Sequence, residues 1–240
     1  MEKKDINVLE QMQNMTVDLN SKVLIEKAEK DGVETMYKRK LGYKVQCGFG
    51  LQGVCCRNCG MGPCRISAKT PRGLCGADEH TIVGRNFARM VAGGTAAHSD
   101  HARDITHTLA LTKPGGDYQV KEPQKLVEFA KFMDVDPEGK DVYELAHEVA
   151  EVCLMEFGKP FGVSKLLKRA PKVRQEIWHN LGIEPRAIDR EIATVMHSTH
   201  IGCCADLEAI IAMSMRCSMA DGWAGSMIGT MISDILFGTP

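Results

Sequence analysis

Six of the ten cysteines lie between positions 47 and 75, and their spacing divides them into a set of four and a set of two. The set of four follows the pattern C-x2-C-x4-C-x10-C and consists of Cys56, Cys59, Cys64 and Cys75. The set of two consists of Cys47 and Cys55. Because successive side chains of an extended segment point to opposite faces, the neighbours Cys55 and Cys56 are not expected to bind one metal centre. The sequence therefore predicts one complete four-thiolate site and half of a second.

The half site predicts a homodimer. A two-fold interface repeats the same patch on both subunits, so a second copy of the chain would supply the two missing thiolates on the symmetry axis. Thiolates bind soft or borderline metals, which leaves zinc and iron–sulfur clusters as candidates. Spacings of 4 and 10 differ from the paired C-x2-C knuckles of zinc sites, and the pattern favours iron–sulfur. Zinc and thiols without metal remain the alternatives at this point.

Glycines are frequent around these cysteines. Gly48, Gly50 and Gly53 spell G-x-G-x-x-G, but this motif binds dinucleotides only between a strand and a helix. Here it lies in a loop rich in helix-breaking residues, between two cysteines. We interpret the glycines as positions where the chain bends around a metal centre.

Composition narrows the class of protein. The net charge of −1 argues against nucleic acid as a partner. No run of about 18 apolar residues is present, so no membrane span is predicted. The charged N-terminus resembles no signal peptide, and a cytoplasmic location with reduced thiols is the expectation.

The predicted fold is mainly α, a helical domain with a cysteine- and glycine-rich cluster-binding loop near the N-terminus. The predicted parts are an N-terminal helical segment (1–41), the loop (42–77) and a helical domain (78–240). Residues 1–18 are expected to be loosely ordered, and Ser21 to cap the first clear helix. Gly93-Gly94 is expected to separate two helices, 78–92 and 95–111.

Further along the chain, apolar periodicity and capping residues predict more helices and no strands. They begin at Thr35, Pro123, Asp141, Pro171 and Pro185, and the last two cover about 204–219 and 225–236. The apolar, glycine-rich segment 221–240 indicates that a longer chain or a second polypeptide continues beyond it.

His98, His101 and His107 occur every third residue, with Asp104 completing the row. Each step of three rotates about 300° around an α-helix, so the row winds around it and cannot chelate one metal ion. Such a row suits a relay of proton carriers, because histidine titrates near neutral pH. Three unrelated, partly exposed histidines are the alternative.

The segments QCGFGLQGVCCRNCGMGPCRI, GLCGA, ARMVAGGTAAHSDHARDITHTL and DGWAGSMIGTMISDILFGTP resemble the N-terminal part of anaerobic nickel–iron carbon monoxide dehydrogenases. The resemblance implies a helical domain that joins two subunits and precedes two α/β domains. It further implies the ligands of a [4Fe–4S] B-cluster in each chain, which are Cys56, Cys59, Cys64 and Cys75. Cys47 and Cys55 correspond to the ligands of a D-cluster shared between subunits.

In that family the clusters carry electrons from the oxidation CO + H2O → CO2 + 2 H⁺ + 2 e⁻ to ferredoxin-like acceptors. The resemblance implies that the ligands of the nickel-containing cluster lie beyond this sequence, so the chain alone should not oxidise CO. Acetyl-CoA synthase is a further possible partner. The family also carries a histidine row that exports protons, which assigns His98, His101 and His107 as relay residues. Asp104 replaces a histidine there and, with a pKa ordinarily far below neutral, is the weaker carrier.

Two other functions are compatible with the cysteine pattern alone. One is a stand-alone iron–sulfur electron-transfer dimer, and the other is a zinc-stabilised interaction module. Cys153 lies on the apolar face of its predicted helix and is expected in the core. No ligand role is assigned to Cys203, Cys204 or Cys217, nor to His197 and His200 beside them.

Overall fold

The computed structural model describes residues 3–43 and 45–239, and the chain divides into two compact units at Gln52/Gly53. Met1, Glu2, Lys44 and Pro240, which fall within predicted segments, lie outside the described residues. The described part is mainly helical, as the sequence predicts. The three predicted parts, with boundaries after residues 41 and 77, stay a prediction. None of the described helices combines the length and apolar character needed to cross a bilayer.

The first unit contains four described helices, which are α1 (Lys3–Gln13), α2 (Leu19–Lys30), α3 (Met36–Leu41) and α4 (Gly48–Leu51). The prediction of loose order over residues 1–18 is wrong for Lys3–Gln13, because α1 packs against α2 and α3 and buries Met12. Asp18, not Ser21, caps α2: its carboxylate accepts a hydrogen bond from the Ser21 N–H. Thr35, predicted as the first residue of a short helix, is the N-cap of α3, which begins at Met36.

The second unit is built on one long helix. Its elements are β1 (Cys55–Cys56), β2 (Cys64–Arg65), α5 (Glu79–Ala110), α6 (Pro123–Phe132), α7 (Val142–Gly158), a 3-10 helix (Lys165–Arg169), α8 (Lys172–Asn180), α9 (Ile188–Ser198), α10 (Leu207–Ala220), a π-helical turn (Asp221–Gly225) and α11 (Ser226–Phe237). Helix α5 contacts α7, α9, α10 and α11. The main core surrounds its C-terminal half and includes Leu109, Phe129, Phe157, Leu166 and Ile228.

The predicted break at Gly93-Gly94 is wrong, because α5 runs through both residues for 32 residues. Each interior glycine costs about 1 kcal/mol relative to alanine. The opposite face of the helix offsets this cost, since Ala88, Ala92 and Thr95 are buried there. Asp78 begins the helix by accepting a hydrogen bond from the Thr81 N–H at 2.9 Å.

Several smaller boundaries also differ from the sequence predictions. Helix α9 begins at Ile188, later than predicted from Pro185, and the 3-10 helix and the two short strands were not predicted. Asp141 begins α7 with a full capping box, because Glu144 bonds back to the Asp141 N–H. The predicted cap is confirmed.

Candidate metal centre

The pairing of the two short strands of the second unit determines which cysteines lie opposite each other. Strand β1 pairs antiparallel with β2, so that Cys56 lies opposite Cys64 and Cys55 opposite Arg65. Directly opposed residues of an antiparallel pair share one face of the ladder, and their neighbours along each strand share the other. Cys56 and Cys64 therefore lie on one face, and Cys55 lies on the opposite face.

A cavity of about 240 Å³ opens on the face of Cys56 and Cys64. It is lined by all four cysteines of the C-x2-C-x4-C-x10-C pattern, which are Cys56, Cys59, Cys64 and Cys75. Ile82, Arg85 and Ile201 are among the other residues of its wall, and Cys55 does not line it. Within residues 3–43 and 45–239, no three histidine, cysteine or acidic side chains converge closely enough for a single metal ion. The four thiols surround a space many times larger than the roughly 10–15 Å³ that one water molecule needs.

Hydrogen-bond donors point at two of the four sulfurs. The Leu74 N–H donates to Cys64 Sγ at 3.5 Å, and the Arg85 Nη1 group donates to Cys75 Sγ at 3.5 Å. The pKa of the Cys75 thiol lies below its ordinary value, first because the Ala77 N–H donates a hydrogen bond to it. Partial burial raises this pKa, and the hydrogen bond from the Arg85 guanidinium lowers it. Donors and positive charge of this kind stabilise thiolates, the form that binds metal.

Two glycines lie where the loop closes around the sulfurs. A Cβ at Gly62 would lie 3.1 Å from both the Cys56 carbonyl oxygen and the Cys64 nitrogen. A Cβ at Gly73 would lie 3.5 Å from Cys64 Sγ. Glycine at position 62 thus permits close approach of the backbone segments that carry Cys56 and Cys64, whereas a Cβ at position 73 would make only ordinary van der Waals contact.

Two segments outside the loop hold it in place. The side-chain amide of Asn86, on α5, donates to the carbonyl oxygens of Gly53 at 2.8 Å and of Cys55 at 3.1 Å. The α9–α10 connection contributes the Thr199 carbonyl, which accepts from Asn58 of the loop at 3.5 Å. Its Cys204 carbonyl accepts from Arg85 and so joins the connection to α5. Sequence reasoning missed Arg85 and Asn86, because their partners lie far along the chain.

Cys47 belongs to the first unit, where it is exposed and occupies the N-cap position of α4. Cys55 belongs to the second unit and is half-buried. The predicted pairing of these two cysteines in one centre stays a prediction.

The remaining cysteines have no metal environment. Cys153 is fully buried in the main core, and burial raises the pKa of its thiol to about 12. Cys217 is also buried, and its thiol contacts the Thr95 hydroxyl. Cys203 is exposed, and neither it nor Cys204 lines the cavity. The core assignment of Cys153 is confirmed.

The histidine row lies on the C-terminal half of α5, and all its members are exposed. His98 and His101 line one groove together with residues of α11, whereas Asp104 and His107 do not. The Nδ1 atom of His98 lies 2.8 Å from the Asp221 carboxylate, which also accepts a hydrogen bond from the Ser226 hydroxyl at 2.7 Å. Sequence reasoning missed Asp221, which begins the π-helical turn.

The chain is similar in sequence and in fold to proteins of one known family. Residues 54–240 match the family model described as the Prismane/CO dehydrogenase family. The chain belongs to this family. Five of the six clustered cysteines lie inside the matched region, and Cys47 lies outside it.

Individual members of the family support the same assignment. Carbon monoxide dehydrogenase 1 of Methanosarcina acetivorans is 47% identical over 230 residues, covering 94% of this chain and 37% of the relative. A Ni-free carbon monoxide dehydrogenase of Thermococcus sp. AM4 superposes with a TM-score of 0.85 at 46% identity, over 95% of this chain and 37% of that one. An acetyl-CoA synthase/carbon monoxide dehydrogenase with NiZn[Fe4S4] and NiNi[Fe4S4] clusters superposes with a TM-score of 0.83 at 36% identity. The match covers 95% of this chain and 35% of that one. The predicted resemblance is confirmed, and the chain spans little more than a third of these relatives.

Proposed function

We propose that this chain is the N-terminal electron-relay and dimerisation part of a nickel–iron carbon monoxide dehydrogenase. The observation that carries the proposal is the single cavity lined by Cys56, Cys59, Cys64 and Cys75. A [4Fe–4S] cluster, when bound by these four thiolates, supplies reversible one-electron transfer. The donors to the Cys64 and Cys75 sulfurs fit such a ligand set.

Cys47 and Cys55 have a separate role in this proposal. Cys55 lies on the opposite face of the β1–β2 ladder from Cys56, which supports a second centre rather than a shared one. With the same two cysteines of a second copy, they would hold a [4Fe–4S] cluster on the two-fold axis of a homodimer. Electrons could then pass between subunits through the symmetry axis.

The complete enzyme would catalyse CO + H2O → CO2 + 2 H⁺ + 2 e⁻ in the cytoplasm and pass the electrons to a ferredoxin-like acceptor. Association with acetyl-CoA synthase is a further proposal, supported by the neighbour that is a complex of both enzymes. The ligands of the nickel-containing cluster are expected outside these 240 residues, so this chain alone should not oxidise CO.

The histidine row is proposed as a path for the protons that the reaction releases. The shared groove of His98 and His101, and the Asp221 carboxylate beside His98, support this part of the row. Replacing both histidines with Gln in the complete enzyme should lower the rate of CO oxidation between pH 6 and 8. An unchanged rate across that range would exclude the relay.

The decisive test is the metal content and mass of the chain purified without oxygen. One cluster per chain and one shared per dimer give about twelve iron and twelve sulfide per dimer. Replacing Cys59 with Ser should remove the cavity cluster, whereas replacing the exposed Cys203 with Ser should leave the iron content unchanged. About one zinc per chain, without sulfide and on a monomer, would refute the cluster proposal in favour of a zinc module.

A further inference from the structure

Arg85 is the largest fully buried side chain of the described residues, with 1% of its surface exposed. It lies in the second turn of α5 and reaches the wall of the four-cysteine cavity. Its Nε group donates to the Cys204 carbonyl at 3.1 Å, and its Nη2 group donates to the same oxygen. Its Nη1 group points to the Cys75 sulfur, at 3.5 Å.

The charge of Arg85 lacks a carboxylate partner. Among the described residues, no aspartate or glutamate oxygen lies within 4.0 Å of its guanidinium. By contrast, Arg186, which is 30% exposed, pairs with the carboxylate of the buried Glu191. An isolated buried charge is strongly unfavourable, and an anion on the cavity side, where the Nη1 group points, would compensate it.

We propose that Arg85 is the buried counter-ion of the iron–sulfur cluster that the cavity would hold, and that its charge raises the reduction potential of this cluster. The inference rests on the proposed function, since the anion is the cluster with its four thiolates. One-electron reduction adds one negative charge to this group. A fixed positive charge in a medium of low dielectric constant therefore stabilises the reduced form more than the oxidised form.

The test compares two substitutions of Arg85 in the full chain, purified without oxygen. Arg85→Met removes the charge and supplies an unbranched apolar side chain, whereas Arg85→Lys keeps the charge. A background with Cys47 and Cys55 both replaced by Ser leaves only the cavity cluster, whose midpoint potential is measured by EPR-monitored redox titration. Arg89→Met is the matched control, because Arg89 lies one helical turn further on α5, donates to the Thr199 hydroxyl and does not line the cavity.

The expected result is a more negative midpoint potential in Arg85→Met, a smaller shift in Arg89→Met and a potential near the unsubstituted value in Arg85→Lys. If Arg85→Met fails to bind iron, cluster binding by Arg85→Lys supports the counter-ion role, because only the charge is restored. Equal potentials in Arg85→Met and the unsubstituted protein, equal shifts in Arg85→Met and Arg89→Met, or loss of iron in both Arg85 variants would overturn the inference. Absence of iron and sulfide from the unsubstituted protein would instead refute the proposed function.

Discussion

Substituting Gly62 with Ala tests whether close approach of the backbone assembles the four thiols. The added Cβ would lie 3.1 Å from the Cys56 carbonyl oxygen and 3.1 Å from the Cys64 nitrogen. Both atoms belong to the paired backbone of β1 and β2, so neither can rotate away as a flexible side chain could. Overpacking of this kind costs about 1–3 kcal/mol.

If the whole cost falls on the ladder, the ratio of chains with Cys56 and Cys64 opposed to chains with the ladder open decreases by about 5- to 150-fold. We therefore expect Gly62→Ala to bind less iron and sulfide at limiting cluster supply. The helices should remain folded, because the main core lies elsewhere in the second unit. Iron and sulfide analysis with far-UV circular dichroism measures both quantities.

Gly60→Ala is the matched control. Gly60 lies two residues away in the same loop, and a Cβ there meets no atom within 4 Å. Gly60→Ala should therefore retain the cluster content of the unsubstituted chain. Full cluster content in Gly62→Ala, or an equal loss in both variants, would refute the packing argument.

Three further predictions concern the second cysteine set, a buried ion pair and the core cysteine. Replacing Cys47 and Cys55 with Ser should reduce the iron content from about twelve to about eight atoms per two chains. Iron analysis and the protein mass in solution measure this change, and an unchanged iron content would contradict the shared centre. Glu191 is 1% exposed and accepts a hydrogen bond from Arg186 Nε at 2.8 Å. Glu191→Ala should therefore lower the free energy of unfolding by about 2–3 kcal/mol. This loss is smaller than that for a fully buried pair, because Arg186 is 30% exposed. Glu151→Ala, at an exposed pair with His147, should change thermal unfolding little. Burial raises the pKa of Cys153 to about 12, so its thiol should resist alkylation in the folded chain at pH 8–9, and rapid alkylation would contradict its burial. The contribution of this thiol to the free energy of unfolding should be lost as the pH rises from 9 towards 12, because the thiol of the unfolded chain ionises first.

The sequence predicted the grouping of the cysteines better than the course of the backbone around them. The alternation rule for extended chain separates Cys55 from Cys56, and the two-residue strands place them on opposite faces. The four-residue set lines one cavity, in agreement with its spacing. Local rules account for these two geometric features because the relevant residues are close in sequence, and the assignment of the six cysteines to two metal centres stays a prediction.

Long-range packing explains what the sequence did not predict. Gly93-Gly94 indicates a break by local propensity, but burial of the opposite face of α5 keeps the helix continuous. Arg85 bonds to a carbonyl 119 residues away, and His98 bonds to a carboxylate 123 residues away. No local pattern carries information about such contacts, so these two partners become visible only in the folded chain.

The continuity of α5 has a geometric consequence. The same rigid rod carries Arg85 at the cavity and His98 beside Asp221, thirteen residues and about 20 Å further along its axis. One residue inserted between Gly93 and Gly94, where the surface is open, would rotate everything beyond it by about 100° relative to the cavity. The number of helical residues between the thiol cavity and the histidine row thus sets the direction in which the row faces relative to the cavity.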